Sequence, residues 1–284
     1  MSFWVVQTLN GVTFSMVLFL ITAGLTLIFG LMRIINLAQG CFYLLGVLIG
    51  FSVVQSTNSF LLCLFFGIVA IGILGIIMQR FFLYRFQDDH EGQVLLTLGF
   101  VFILSDLALL IWGGEPKLLP KPPLFEGSVE IGTNFFAIYR LIMILTGVLI
   151  AIGLWLFIGR TKMGALIRAG ADDIEMARGL GIRIPLLFTA VFGLGAALSS
   201  FGGIMAGPLI GAHPGLEWDI LLLSMAVVLI GGLGSLKGAF LGSLLVGLVD
   251  NFCKVLMPEL GLFVIFGAVA IVLAFKPTGL FGKL

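Results

Sequence analysis

The chain has 284 residues, 60% of them hydrophobic and 10% charged, with a formal net charge of +1. A soluble domain carries about 25% charged residues, so the composition argues against a soluble enzyme, and so small a net charge gives nucleic acid no footing. A mean hydropathy of +1.23 points to an integral membrane protein.

The N-terminus, MSFWVVQ, lacks the basic region of a cleavable signal. Residues 2–32 and 34–79 contain no charge. A bilayer span needs about 20 apolar residues, so the first run predicts one long helix and the second two. Asn10, Thr13 and Ser15 lie early in the first helix. The stretch RIINLAQG (33–40) separates the first two helices and places Asn36 and Gln39 at a break. Such a break fits an unwound segment near membrane depth that lines a cavity. Asn10, Thr13, Asn36 and Gln39 are therefore the candidate pathway residues.

Further spans are predicted at 94–112, 138–158, 186–207, 219–231, 239–255 and 260–275. The fold class is an all-α polytopic membrane protein of about nine segments. The short spans 219–231 and 239–255 read as possible half-helices or re-entrant segments. The proline-rich GGEPKLLPKPPLFEG (113–127) reads as a loop. Gly195, Ser199, Gly203 and Gly207 recur every four residues, and Gly46–Gly50 and Gly238–Gly242 repeat that spacing. Plain helix packing explains these small residues best.

Lys and Arg set the orientation. If each segment crosses, one side receives Arg33, Arg80, Arg85, Arg160, Lys162, Arg168, Arg178, Arg183, Lys237, Lys276 and Lys283. The other receives Lys117, Lys121, Arg140 and Lys254. The positive-inside bias predicts N-out/C-in, with residues 159–185 in the cytoplasm. Arg33, Asp106 and Asp250 are ionisable groups in or near spans, read either as interfacial or as pathway groups, and Asp250 lies at helical spacing from Lys254.

GALIRAGADDIEMARGLGIRIP (164–185) is the most charged stretch in the chain. Ile167, Ala171, Ile174, Ala177 and Gly181 form one apolar stripe on a helical wheel. Arg168 can meet Asp172, and Glu175 can meet Arg178, on the polar faces. The spacing predicts a short amphipathic helix, or two, ended near Gly179–Gly181 and Pro185. Its small residues suit a helix laid along the membrane surface with its stripe toward a partner's groove. The plainer alternative is a solvated loop whose basic residues hold topology.

Chemistry is sparse elsewhere. Cys41, Cys63 and Cys253 show no C-x-x-C spacing and read as small buried hydrophobes. His90 and His213 are far apart, so no metal site is expected, and no cofactor is implied. No phosphate-cradling G-x-x-x-x-G-K-[ST] occurs. The chain is not expected to be an enzyme, and its energy must come from another polypeptide. Two Gly-rich stretches, around 30–46 and 232–242, look faintly alike and suggest an internal repeat with the route between them.

Four blocks carry a resemblance. Arg168-Ala169, Ala171, Asp173, Met176-Ala177 and Leu180-Gly181-Ile182 resemble the cytoplasmic loop of ABC importer permeases of the branched-chain amino acid type, the LivH-like inner-membrane permeases. Ile35, Asn36, Ala38 and Gly40 resemble that family's first block, LIGGLGSLKGAFLGSLLVGL (229–248) a later one, and KPTGLFG (276–282) its end. Arg183 departs from the family pattern after Gly-Ile. The resemblance implies one permease domain over 1–284, with a coupling loop at 159–185. It implies that Arg168, Ala169, Asp172, Asp173, Glu175, Met176, Ala177, Arg178 and Gly181 face ATPase subunits. It further implies an external solute-binding protein, a second related permease or a second copy of the chain, and a branched-chain or other hydrophobic amino acid as substrate. Urea or a short amide is the close alternative. An ion-coupled secondary transporter is another, and a membrane scaffold that transports nothing a third.

Overall fold

The computed structural model describes residues 2–87, 89–131 and 134–282, so Lys283 of the charge argument lies outside the described residues. The helices are α1 (Ser2–Met32), α2 (Gln39–Thr57), α3 (Phe60–Ile77), α4 (His90–Trp112), α5 (Ile138–Arg160), α6 (Lys162–Asp172), α7 (Ile174–Gly179), α8 (Ile184–Ile210), α9 (Leu216–Gly231), α10 (Leu236–Leu256) and α11 (Gly261–Phe275). A π-helical turn at Met78–Phe82 prolongs α3. A two-stranded hairpin, β1 (Ser128–Ile131) with β2 (Asn134–Ala137), precedes α5. Among the described residues, eight helices are long and apolar enough to cross a membrane. The ninth, α9, has 16 residues and reaches only about 24 Å. The short-span reading holds for α9 but not for α10, which runs 21 residues because Ser235 caps it well before Ala239.

We call the end at which α1 begins the top. Gln7, Lys117, Ala212 and Asn251 gather there: Asn251 Nδ2 donates to Gln7 O at 2.8 Å, and Lys117 and Ala212 form a β-bridge. At the bottom Gly30 meets Gly234, and the C-terminal segment folds under α9 through Leu280 N to Ile230 O at 2.8 Å. These contacts place the loop at Lys117, the α8–α9 turn and the end of α10 at the top, and the α9–α10 turn and the C-terminal segment at the bottom.

The four-residue ridge on α8 is a packing surface. A methyl added at Gly203 would stand 2.5 Å from the Tyr43 carbonyl oxygen of α2, and Ser199 Oγ donates to Gln39 O at 2.9 Å. Without a hydrophobic drive between helices in lipid, such close backbone approach is what holds them together. Tyr43, Phe42 and Phe192 are fully buried around this seam.

A repeat is present, but not the one the sequence suggested. A shift of 178 residues carries the end of α1 at Met32 onto the end of α8 at Ile210. The same shift carries the start of α2 at Gln39 onto Glu217 in the first turn of α9, and the start of α3 at Phe60 onto Gly238 in the first turn of α10. The contacts obey it too: Gly24 packs on Gly195, and its image Gly202 packs on Val17, the image of Gly195. Helices α1 and α8 run antiparallel, so the two units are inverted relative to each other. The breaks that correspond are 33–38 and 211–215. The stretches at 30–46 and 232–242 instead touch directly, a methyl on Gly30 reaching within 3.2 Å of Gly234 Cα, with no route between them.

Gly203→Leu should destabilise the protein by about 1–3 kcal/mol through overpacking, seen as a lower midpoint of thermal unfolding in detergent. Gly99→Ala, mid-helix in α4 with nothing within 4 Å of the added methyl, should not lower that midpoint.

Candidate functional site

Two features stand out, one at each end. At the bottom, residues 161–183 form the helix pair α6 and α7. Thr161 Oγ1 caps α6 by accepting from Gly164 N at 3.0 Å, and Asp173 Oδ1 caps α7 by accepting from Met176 N at 2.9 Å. Asp173 itself is extended, so the single helical wheel breaks there. Gly164, Ile167, Gly170 and Ala177 are buried. Gly170 lies against Leu31 of α1 and Leu187 of α8.

The apolar stripe therefore faces the chain's own bundle, not outward to a partner as expected. The reason is that α1 and α8 end in apolar side chains that need cover. What α6 and α7 present outward is the opposite face. Arg168, Asp172, Asp173, Glu175, Arg178 and Gly181 are exposed on it, and Ala169 is half-buried. Met176 is 63% and Leu180 74% exposed, two apolar side chains amid charge. Among the described residues the ion pairs are Lys117–Glu115 and Lys254–Asp250. Arg168–Asp172 and Glu175–Arg178 thus do not close as expected, and these charges stay free in solvent. Gly181, with φ +83°, makes the turn into α8, whose first turn holds Pro185.

At the top lies a cavity of about 410 Å³ between α1, α5, the α8–α9 turn and α10. Asn10 and Thr13 line it, together with Arg140, Asp219, Asp250 and Lys254. Arg140 donates to Asn10 Oδ1, and Lys254 Nζ donates to Asp250 Oδ2 at 2.6 Å. Its apolar wall includes Val17, Met143, Leu216, Ile220 and Leu223. A second cavity of about 300 Å³, between α2, α4 and α9, is lined by Asp106 and by Glu217, which accepts from Ser105 Oγ at 2.9 Å.

Asn36 and Gln39 are brought together elsewhere. Both are fully buried and line neither cavity. Asn36 Nδ2 donates to Gln39 Oε1 at 3.2 Å, and Gln39 Nε2 donates to Gly195 O at 3.1 Å and to Ile21 O at 3.3 Å. Asn36 Oδ1 accepts from Ala38 N at 3.1 Å, a backbone group freed where the chain unwinds between α1 and α2, and Gln39 ties that break to carbonyls inside α1 and α8. Arg33 is exposed at the bottom end of α1. The sequence reading passed over Arg140, Asp219 and Leu180 as cavity or surface groups. Arg140 and Asp219 could have been flagged as charges beside apolar runs.

A family model described as "Branched-chain amino acid transport system / permease component" matches residues 7–273. The chain belongs to that family. It is 29% identical to the high-affinity branched-chain amino acid transport system permease protein BraD of Pseudomonas aeruginosa and 28% identical to the LivH permease of Escherichia coli. Each alignment covers 98% of this chain and 95% of the relative. It is also 30% identical to the autoinducer 2 import system permease protein LsrC of Yersinia pestis, over 56% of this chain and 46% of that one. No solved structure matches. The chain is thus the membrane-spanning permease subunit of an ABC importer, a multi-pass inner-membrane protein. ATP hydrolysis belongs to separate subunits, and such permeases work with ATPases and binding proteins.

Gln39→Leu removes the donor from two buried carbonyls. It should cost about 1–3 kcal/mol, measured as a lower unfolding midpoint in detergent, while Ser52→Ala at the exposed top end of α2 changes it little.

Proposed function

We propose that this permease carries branched-chain or other hydrophobic amino acids inward, with the top facing outside and the bottom in the cytoplasm. The observation that carries the coupling part is the outward face of α6 and α7, where Met176 and Leu180 stand exposed among unpaired charges. An apolar pair ringed by charge suits a shallow groove on an ATPase surface, the apolar side chains anchoring and the charges fixing register. The positive-inside bias supports the orientation, since Arg160, Lys162, Arg168, Arg178 and Arg183 all cluster at this end.

The same element touches the two helices that wall the top cavity. Through Gly170, α6 rests on Leu31 of α1 and Leu187 of α8, and the other ends of these helices supply Asn10, Thr13, Leu209 and Ile210 to the cavity. At 31 residues, α1 is a rod of about 46 Å. Closure of two ATPases displaces α6 and α7, and the rods carry that displacement to the cavity. An external binding protein docks at the top, and a second related permease, or a second copy of this chain, completes the transporter. The ion-coupled alternative loses ground because Asp250 is already paired with Lys254 at 2.6 Å and Arg33 lies at the bottom end rather than along a route.

Leu180→Asp, and separately Arg168→Ala with Glu175→Ala, should reduce ATP-driven leucine uptake into proteoliposomes about tenfold, an effect worth about 1.4 kcal/mol at the docking surface. Uptake unchanged by both would remove the docking role. Cysteines at Arg168 and Lys237 should react with an impermeant thiol reagent only from the cytoplasm, and those at Asn58 and Lys117 only from outside. Labelling of Arg168→Cys from outside would overturn the orientation.

A further inference from the structure

The charges around the top cavity do not all cancel. Asp250 and Lys254 neutralise each other. Arg140, at the start of α5, makes no ion pair among the described residues, and its bond to Asn10 is with a neutral amide. Asp219, in the first turn of α9, is exposed and also makes no ion pair among the described residues. One unpaired guanidinium and one unpaired carboxylate therefore line the same space of about 410 Å³. Arg140 stands on the membrane-spanning α5, where an ionised group is costly unless a cavity or a counter-charge receives it, and Asp219 faces the same cavity from α9. The rest of the wall is largely apolar, with Val17, Leu216, Ile220 and Leu223 beside Phe14 and Met143.

We infer that this cavity is a site for a zwitterion with an aliphatic side chain, gripped by Arg140 at its carboxylate and by Asp219 at its ammonium. The inference rests on the amino acid reading above and names the groups within it. A guanidinium presents a fork that matches a carboxylate in two parallel hydrogen bonds. Asp219, in the first turn of α9, accepts from the ammonium. The substrate's side chain enters the apolar wall, which offers no polar partner. An uncharged amide such as urea uses neither charge and leaves that wall empty, so the arrangement selects against it. The site draws on three helices: Arg140 comes from α5, Asp219 from α9, and Val17 from α1.

The test uses the whole complex, with its ATPases, partner permease and binding protein, in proteoliposomes. Labelled leucine uptake and ATP hydrolysis stimulated by the binding protein are measured together for the unaltered complex and for Arg140→Gln, Arg140→Lys, Asp219→Asn and Asp219→Glu. The expected result is a loss of about tenfold or more in leucine taken up per ATP for the two neutral variants. ATP hydrolysis stays within about twofold, and the charge-keeping variants recover part of the uptake. Unchanged uptake in both neutral variants would overturn the site while leaving the amino acid reading intact. A parallel fall of uptake and hydrolysis, without recovery by Lys or Glu, would mark these residues as structural and overturn it too. Failure of the unaltered complex to take up leucine, with urea accumulating instead, would overturn the amino acid reading and the site together.

Discussion

Within a bilayer, a chain that stops being helical must find partners for its backbone polar groups inside the protein. Breaks at 33–38 and at 211–215 each join two consecutive helices, and the architecture depends on how those breaks are held. At the first, Gln39 spends its amide on the carbonyls of Gly195 and Ile21, and Ser199 donates back to Gln39 O. That ties α1, α2 and α8 into one knot. At the second, Glu217 accepts from Gly215 N and Ser105 Oγ, tying the start of α9 to α4. The two knots meet, because Gly40 lies against the carbonyl of Glu217 with no room for a side chain. Gln39 and Glu217 are images of each other under the repeat, so this meeting marks its axis.

From that axis the rest follows by packing. Small residues on α8 admit α2 closely, and Gly247 admits Ser15 of α1 in the second layer. The bundle is thereby tied at its middle, and the chain keeps its charge toward the ends. The top end encloses the mixed-charge cavity and the bottom end carries α6 and α7. In the proposed coupling, a displacement at the bottom travels to the top along α1 and α8, which meet closely near their centres at Gly24 and Gly195. Held in this way, two crossing rods act as levers rather than as independent posts.

Much of this was legible in the residues, because composition and span length are strong constraints in lipid. The uncharged runs located the helices, Asn36 and Gln39 located the first break, and the charged stretch at 164–185 located the surface pair. Three things were hidden. Which face of α6 points outward depends on what α1 and α8 leave uncovered, and a helical wheel contains no neighbour. The true repeat escaped because its two units share spacing rather than residues: Gln39 answers to Glu217 and Phe60 to Gly238. The pairing of Arg140 and Asp219 on one cavity joins residues far apart in the chain, which only the folded backbone brings together.

The inverted relation of the two units has a consequence for charge. Equivalent positions lie on opposite faces of the membrane, and the two faces do not tolerate basic residues equally. A basic residue that anchors one unit would misplace the other at the same position. Along the shift of 178, Arg33 is answered by Gly211, Arg80 by Pro258, Lys237 by Ser59 and Arg183 by Val5. At each of these four places one unit carries the cation and its image does not. The membrane, an asymmetric solvent, has written a different charge pattern onto each of two nearly equivalent backbones, and that difference lets them lie upside down to one another in a single chain.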